Sequence, residues 1–247
     1  MRILTVNVRY ISQKYGHMEK LLILCHTITM LATLKQTAEL VDLFQKSGRK
    51  TTYRKGEFII RPGDFPSGVF YINEGIVKAY DITKYGDENL LIIRKEHEVF
   101  PLIWALTGQE RQVIYEALAP TTVLQISRDI FLDFIKNKPD ALAPLLDMTI
   151  EMYRLHSERI INLEYRSVRE RLVSFLLTMS HRFGQVTDDG IMIGLPLKHQ
   201  DIASSINSSR ETTSRELSAL ERKGLLLNEQ SQILLKNIEA LEAFLSR

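Results

Sequence analysis

The stretch Lys198-His199-Gln200-Asp201-Ile202-Ala203-Ser204-Ser205-Ile206-Asn207-Ser208-Ser209-Arg210-Glu211-Thr212-Thr213-Ser214-Arg215-Glu216-Leu217 reads as two short helices joined by a tight turn. Ile202 and Ile206, four residues apart, give the first helix one apolar face. Ala203 leaves room for a second helix to cross closely. Asn207 falls where the turn needs a left-handed residue, which Asn tolerates better than most. Ser208 or Ser209 can cap the second helix, whose inward face is Thr213, Leu217 and Leu220. Arg210, Glu211, Ser214 and Arg215 occupy a separate arc of roughly 140°. Arginine donates two hydrogen bonds to guanine O6 and N7, and a carboxylate accepts from cytosine N4. These four are the expected base contacts. Lys198, His199, Gln200, Ser209 and Thr212 are the expected phosphate contacts, which position without specifying. Ser208-x-x-Glu211 also fits a capping box, in which Glu211 only holds the helix start.

Downstream, a strand at Leu225–Leu227, a polar turn at Asn228–Ser231 and a strand at Ile233–Leu235 make a hairpin, the wing of a winged helix-turn-helix. Upstream, Gly184–Gly194 is loop-rich with a turn at Asp188-Asp189-Gly190. Val168, Leu172, Phe175, Leu176 and Met179 form the helix that opens this domain, after the apolar pattern breaks at Glu164–Arg169. Before the break, Leu145, Met148, Met152 and Leu155 recur at alternating three- and four-residue spacing that continues onto Arg159. So narrow a seam predicts a helix facing its own copy in a homodimer. A helix lying on its own barrel is the competing reading.

From Lys50 to Ser127, short apolar runs (Glu57–Ile60, Val69–Ile72, Ile76–Tyr80, Asn89–Ile93, Val113–Ala119, Thr122–Ile126) alternate with turn formers such as Arg61-Pro62-Gly63-Asp64 and Asn73-Glu74-Gly75. That spacing predicts a β-barrel or jelly roll. The expected fold is therefore α+β. Residues 1–36 form an extension, 37–138 a sensing jelly roll, 139–164 a dimerisation helix and 165–247 a winged helix-turn-helix domain.

The 247-residue chain has ordinary composition, 45% hydrophobic and 25% charged, and a net charge of only +2, so the nucleic-acid argument rests on local pattern. One cysteine, Cys25, excludes a disulfide framework, a Cys-rich zinc site and an iron–sulfur cluster held by thiolates of one chain. The apolar stretch Leu21–Leu34 falls short of the roughly 20 residues a spanning helix needs. No membrane role is expected, and the cytoplasm is the expected location. Met18 and Met30 would both serve as alternative starts. No Gly-rich nucleotide loop, nucleophile–base arrangement or metal-ligand cluster appears, so no catalytic residue and no metal site is expected.

The motifs Arg61-Pro62-Gly63-Asp64, Tyr71-Ile72, Gly75-Ile76-Val77-Lys78 and Ser209-Arg210-Glu211-Thr212-Thr213-Ser214-Arg215 resemble the cyclic-AMP receptor protein / FNR family of bacterial regulators. The match runs from about Tyr53 to the C-terminus. Glu211-x-x-Ser214-Arg215 is similar to the branch with TTGA half-sites, and Arg210 to the branch with GTGA half-sites. The resemblance implies a homodimer on double-stranded palindromic DNA and contact with RNA polymerase. It also implies an effector pocket, onto which Leu102, Arg111 and Gln112 map. Leu102 stands about where a ribose-binding carboxylate belongs, and Gln112 where a small residue belongs beside phosphate. Cyclic AMP is therefore not the expected effector, which the sequence leaves unnamed. A constitutive DNA binder that uses the barrel only as a scaffold is the alternative.

Overall fold

The computed structural model describes residues 38–229 and 232–245. The extension 1–36, including Leu21–Leu34, lies outside the described residues. Among the described residues no helix is long and apolar enough to cross a membrane.

Eight strands make a two-sheet sandwich. One antiparallel sheet holds β1 (Arg49–Tyr53), β8 (Thr121–Ile126), β3 (Val69–Glu74) and β6 (Val99–Phe100) in that spatial order. The other holds β2 (Phe58–Ile60), β7 (Ile114–Ala117), β4 (Val77–Ile82) and β5 (Glu88–Arg94). The near-continuous apolar runs have a simple cause: both faces of these strands are covered. Along β3, Phe70 and Ile72 point between the sheets, where Phe70 stacks on Phe100 at 5.3 Å and Phe100 on Tyr115 at 4.7 Å. Val69 and Tyr71 point outward under helices: α1 (residues 38–47), α2 (Leu102–Thr107), α3 (Arg128–Asn137) and the start of α4 (Leu142–Tyr165). At the β3–β4 turn Gly75 takes φ +100°, and a Cβ there would collide with the Pro120 carbonyl.

The outer face of the second sheet carries the C-terminal domain. That domain comprises α5 (Val168–Phe183), β9 (Gly184–Thr187), β10 (Gly190–Ile193), α6 (His199–Ser205), α7 (Arg210–Arg222), β11 (Leu226–Glu229), β12 (Gln232–Leu235) and α8 (Ile238–Glu242). Tyr80, Leu90, Ile93, Ile114 and Leu118 from the barrel share one buried cluster with Leu172, Leu176, Ile202 and Ile206. In β5, Ala79 pairs with Ile92 but Tyr80 pairs with Leu90, so Leu91 is a bulged extra residue. The bulge shifts the alternation and turns both Leu90 and Ile93 toward the winged domain. The loop-rich stretch 184–194 is in fact a second hairpin, β9–β10, which extends the wing sheet in the order β11-β12-β10-β9.

Polar ties reinforce the junction. Lys78 Nζ of β4 lies 3.2 Å from Glu88, 3.2 Å from Glu116 and 3.8 Å from Asp201 of α6. Burial first, then the Glu116 carboxylate, hold the neighbouring Tyr80 phenol well above its usual range. Arg182 of α5 reaches Glu98 at 2.7 Å. Lys78→Met would leave Glu88, Glu116 and Asp201 without the cation they share, the last two being largely buried. A loss on the order of 3 kcal/mol is expected in chemical denaturation, with Asp201→Asn milder because Asn still accepts from the Lys198 amide. Equal stability of Lys78→Met and wild type would show that the cluster does not hold the domains together.

Within one chain, the stripe predicted as the dimer seam packs on the barrel. Leu145 is buried against the helix-covered sheet and Met148 packs beside it, while Met152 and Leu155 pack on the sandwich core. Arg159 donates to the Leu90 carbonyl at 2.7 Å and to Asn89 Oδ1 at 2.6 Å. This stripe faces the chain's own barrel. A second stripe runs beside it along α4: Leu142, Leu146, Ile150, Tyr153 and Ile160 are exposed, Tyr153 at 74%. A 24-residue helix with two apolar stripes covers two surfaces, and the narrow spacing of one does not say which surface it meets.

Candidate nucleic-acid interface

The helix-turn-helix forms from local chemistry. Ile202 and Ala203 are buried on α6 and Ile206 at its C-cap, as are Thr213, Leu217 and Leu220 on α7. Asn207 adopts φ +50° in the turn, the left-handed conformation its position called for. Ser209, not Ser208, caps α7: its hydroxyl oxygen accepts from the Thr212 amide at 3.1 Å. The Ser208–Glu211 capping box does not form. Arg169 of α5 bridges Glu216 of α7 at 2.7 Å, and Arg171 donates to the Asn207 carbonyl at 3.3 Å, so α5 braces both helix and turn.

Arg210, Glu211 and Arg215 are exposed together on the outward face of α7. Glu211's carboxyl sits below the usual range because its own backbone N–H and the Ser209 hydroxyl donate to it. It is thus an ionised acceptor at the helix N-terminus, where the helix dipole also favours negative charge. Lys198 and Gln200 are exposed at the start of α6. The remaining predicted contacts are already engaged within the domain. Ser209 caps α7, and its hydroxyl oxygen lies 3.1 Å from Thr212 Oγ1. His199 and Ser214 bond one another at 2.7 Å, so His199 does not stand free as a phosphate contact. The wing lies beside α7, its tip residues 230 and 231 lying outside the described residues.

The sandwich holds a cavity of about 140 Å³. Of the three residues mapped there, only Arg111 lines it. Leu102 is buried in the helix-covered cluster instead, because α2 turns its side chain onto Ala105 and Phe131. Gln112 is exposed. The lining that sequence reasoning missed includes Arg94, Trp104, Met152 and His156. A lone arginine ending the apolar run Leu90–Ile93 was the available signal for Arg94. Its side chain is 4% exposed, its Nη1 donates to Glu98 at 3.3 Å, and its Nε is buried without a partner. Burial, and then the cations Arg159, Arg94 and Arg111, push the His156 imidazole below its ordinary value. Among the described residues no carboxylate lines the cavity.

Comparison with known proteins agrees on both halves. A cyclic nucleotide-binding domain model matches residues 50–138, and a Crp-like helix-turn-helix domain model matches residues 170–244. The chain is 32% identical over 218 residues to the global nitrogen regulator of Synechocystis sp., covering 85% of this chain and 96% of that one. It is 26% identical over 189 residues to the fumarate and nitrate reduction regulatory protein of Vibrio cholerae, covering 76% and 75% of the two chains. Among solved structures, FixK2 from Bradyrhizobium japonicum superposes with a TM-score of 0.69 at 25% identity, covering 79% of this chain and 96% of that one. A CooA variant from Carboxydothermus hydrogenoformans has the same fold, with a TM-score of 0.70 at 24% identity over 81% and 89% of the chains.

Proposed function

The chain belongs to the Crp/Fnr family of DNA-binding transcription regulators, and on that premise we propose that it binds a palindrome with TTGA- or GTGA-containing half-sites as a homodimer. The observation that carries this reading is the division of α7 into two faces. Thr213, Leu217 and Leu220 are buried, and Arg210, Glu211 and Arg215 stand outward with nothing of the described chain over them. Two such helices related by a two-fold axis meet major-groove segments a helical turn or more apart. The exposed stripe Leu142–Leu146–Ile150–Tyr153–Ile160 supplies the dimer surface. Selection from randomised DNA tests the reading: a palindromic motif is expected, and enrichment of no palindrome would overturn it.

The sandwich cavity is the sensing site in this proposal, and its chemistry favours a compact anion. Arg94, whose charge is shared with Glu98 behind the wall, Arg111 and His156 line it, no carboxylate stands among the described lining residues, and apolar Ile92, Ile103, Trp104 and Val113 complete the wall. At about 140 Å³ it lies below the roughly 300–1,000 Å³ usual for ligand pockets. Cyclic AMP and cyclic GMP are expected to give no saturable heat in calorimetry at micromolar ligand, because no carboxylate among the described lining residues accepts the ribose hydroxyls. A tight stoichiometric isotherm with either nucleotide would refute this.

A further inference from the structure

His199 opens α6, and both nitrogens of its imidazole are engaged. Nδ1 lies 2.7 Å from Ser214 Oγ on α7, and Asn228 Nδ2 on β11 lies 2.9 Å from Nε2. The pattern suits a neutral ring that donates from Nδ1 to the serine and accepts the asparagine amide at Nε2. A ring used in this way has no N–H left for a phosphate oxygen. Asn228 is held a second time, its backbone N–H donating to Glu221 Oε1 at 3.1 Å in the last turn of α7. The base of the wing is therefore tied to the start of α6 and the end of α7. Around these, Leu226 and Leu235 are buried in the domain core and the Leu225 amide donates to the Leu220 carbonyl of α7 at 3.2 Å. Apolar burial is non-directional and does not fix how the strand is rotated against the helix. The hydrogen bonds through His199 are directional, and they hold the Asn228 side chain, which the backbone contacts to Glu221 and Leu220 do not engage.

We propose that His199 is a positioning residue for DNA recognition, clamping the wing strand β11 to the recognition helix α7 through Asn228 and Ser214. The clamp keeps the wing and the Arg210/Arg215 face in one register on the duplex. This rests on the DNA-binding reading above.

The test combines hydrogen exchange on the free protein with a double-mutant cycle in binding to the selected palindrome. The variants are His199→Ala, Asn228→Ala, the pair, and His199→Gln, whose longer amide reaches the Nε2 position and keeps the Asn228 link. In His199→Ala, amides of β11 are expected to exchange faster, and His199→Gln should restore most of their protection. DNA affinity should fall about fivefold to tenfold, the worth of a part-buried hydrogen bond. The loss should be equal across sequences, with selected half-site and salt slope unchanged. Adding Asn228→Ala to His199→Ala should cost little more. Additive losses in the cycle, unchanged exchange in β11, or a reduced salt slope marking a charged phosphate contact would each overturn the clamp. Failure of the wild type to select any palindrome would overturn the DNA-binding reading and the positioning role with it. A palindrome with an additive cycle overturns the clamp alone.

Discussion

Ile150→Glu is expected to make the protein monomeric at micromolar concentration in sedimentation and to lower its affinity for the palindrome by about 10²–10⁴-fold. Ile150 sits midway along the exposed stripe of α4 and is 56% exposed in the single chain. Against a second copy it would be covered, and a carboxylate there would have to be stripped of water without a partner. The large DNA effect follows from valency. Two linked recognition helices bind the second half-site at a high effective concentration, and a monomer forfeits that term. Met152→Glu is the control on the other stripe, where the side chain packs on the sandwich core beside Arg94. Monomers from Met152→Glu, with Ile150→Glu still dimeric, would return the interface to the inner stripe.

That contrast marks how far the sequence carries. The helix-turn-helix was legible almost residue by residue, because its determinants are local: an i, i+4 apolar pair, a left-handed Asn207, a serine cap. The strands between Phe58 and Ile126 were legible too, since turn formers delimit them. Three things were not. The short strands β1 and β6 lack alternation, and the hairpin β9–β10 carries exposed Gln185 and Val186 that hide its pairing. The α4 stripes differ only in what they face, which is tertiary information. The cavity lining draws on β4, β5, α2, β7 and α4 at once, and no linear spacing assembles such a set.

Strand β4 joins the two proposed functions. Ala79 lines the cavity. Lys78 and Tyr80, its neighbours in the chain, point to the opposite face, where Lys78 reaches Asp201 and Tyr80 enters the cluster shared with the winged domain. One sheet thus separates the cavity from the first helix of the DNA-reading pair. A ligand that altered the spacing of β4 and β5 would act on α6 without an intervening element. Asp201 and His199 lie in the same turn of α6, one facing the barrel and the other the recognition helix and wing.

Arg215→Ala is expected to cost about 1–3 kcal/mol per half-site, hence roughly 2–6 kcal/mol on the full palindrome, and to relax preference at one base pair of each half. Arg215 is exposed on α7, and its only side-chain bond among the described residues is a long one of 3.5 Å to Thr212 Oγ1. Its removal should not disturb the domain, so the loss reports on readout. A guanidinium presents two parallel donors to guanine O6 and N7, and no other base pair offers two acceptors in that place. Discrimination therefore disappears with the side chain. Lys198→Ala is the counterpart. Lys198 is exposed at the N-cap of α6, and the proposed complex sets its ammonium against backbone charge rather than a base edge. Its loss should weaken all sequences alike and reduce the slope of log affinity against log salt by about one. The two variants are separable in one selection on randomised DNA, repeated at two salt concentrations. If Arg215→Ala instead lowers affinity evenly and leaves the enriched sequence unchanged, Arg215 grips the backbone, and base readout falls to Arg210 and Glu211.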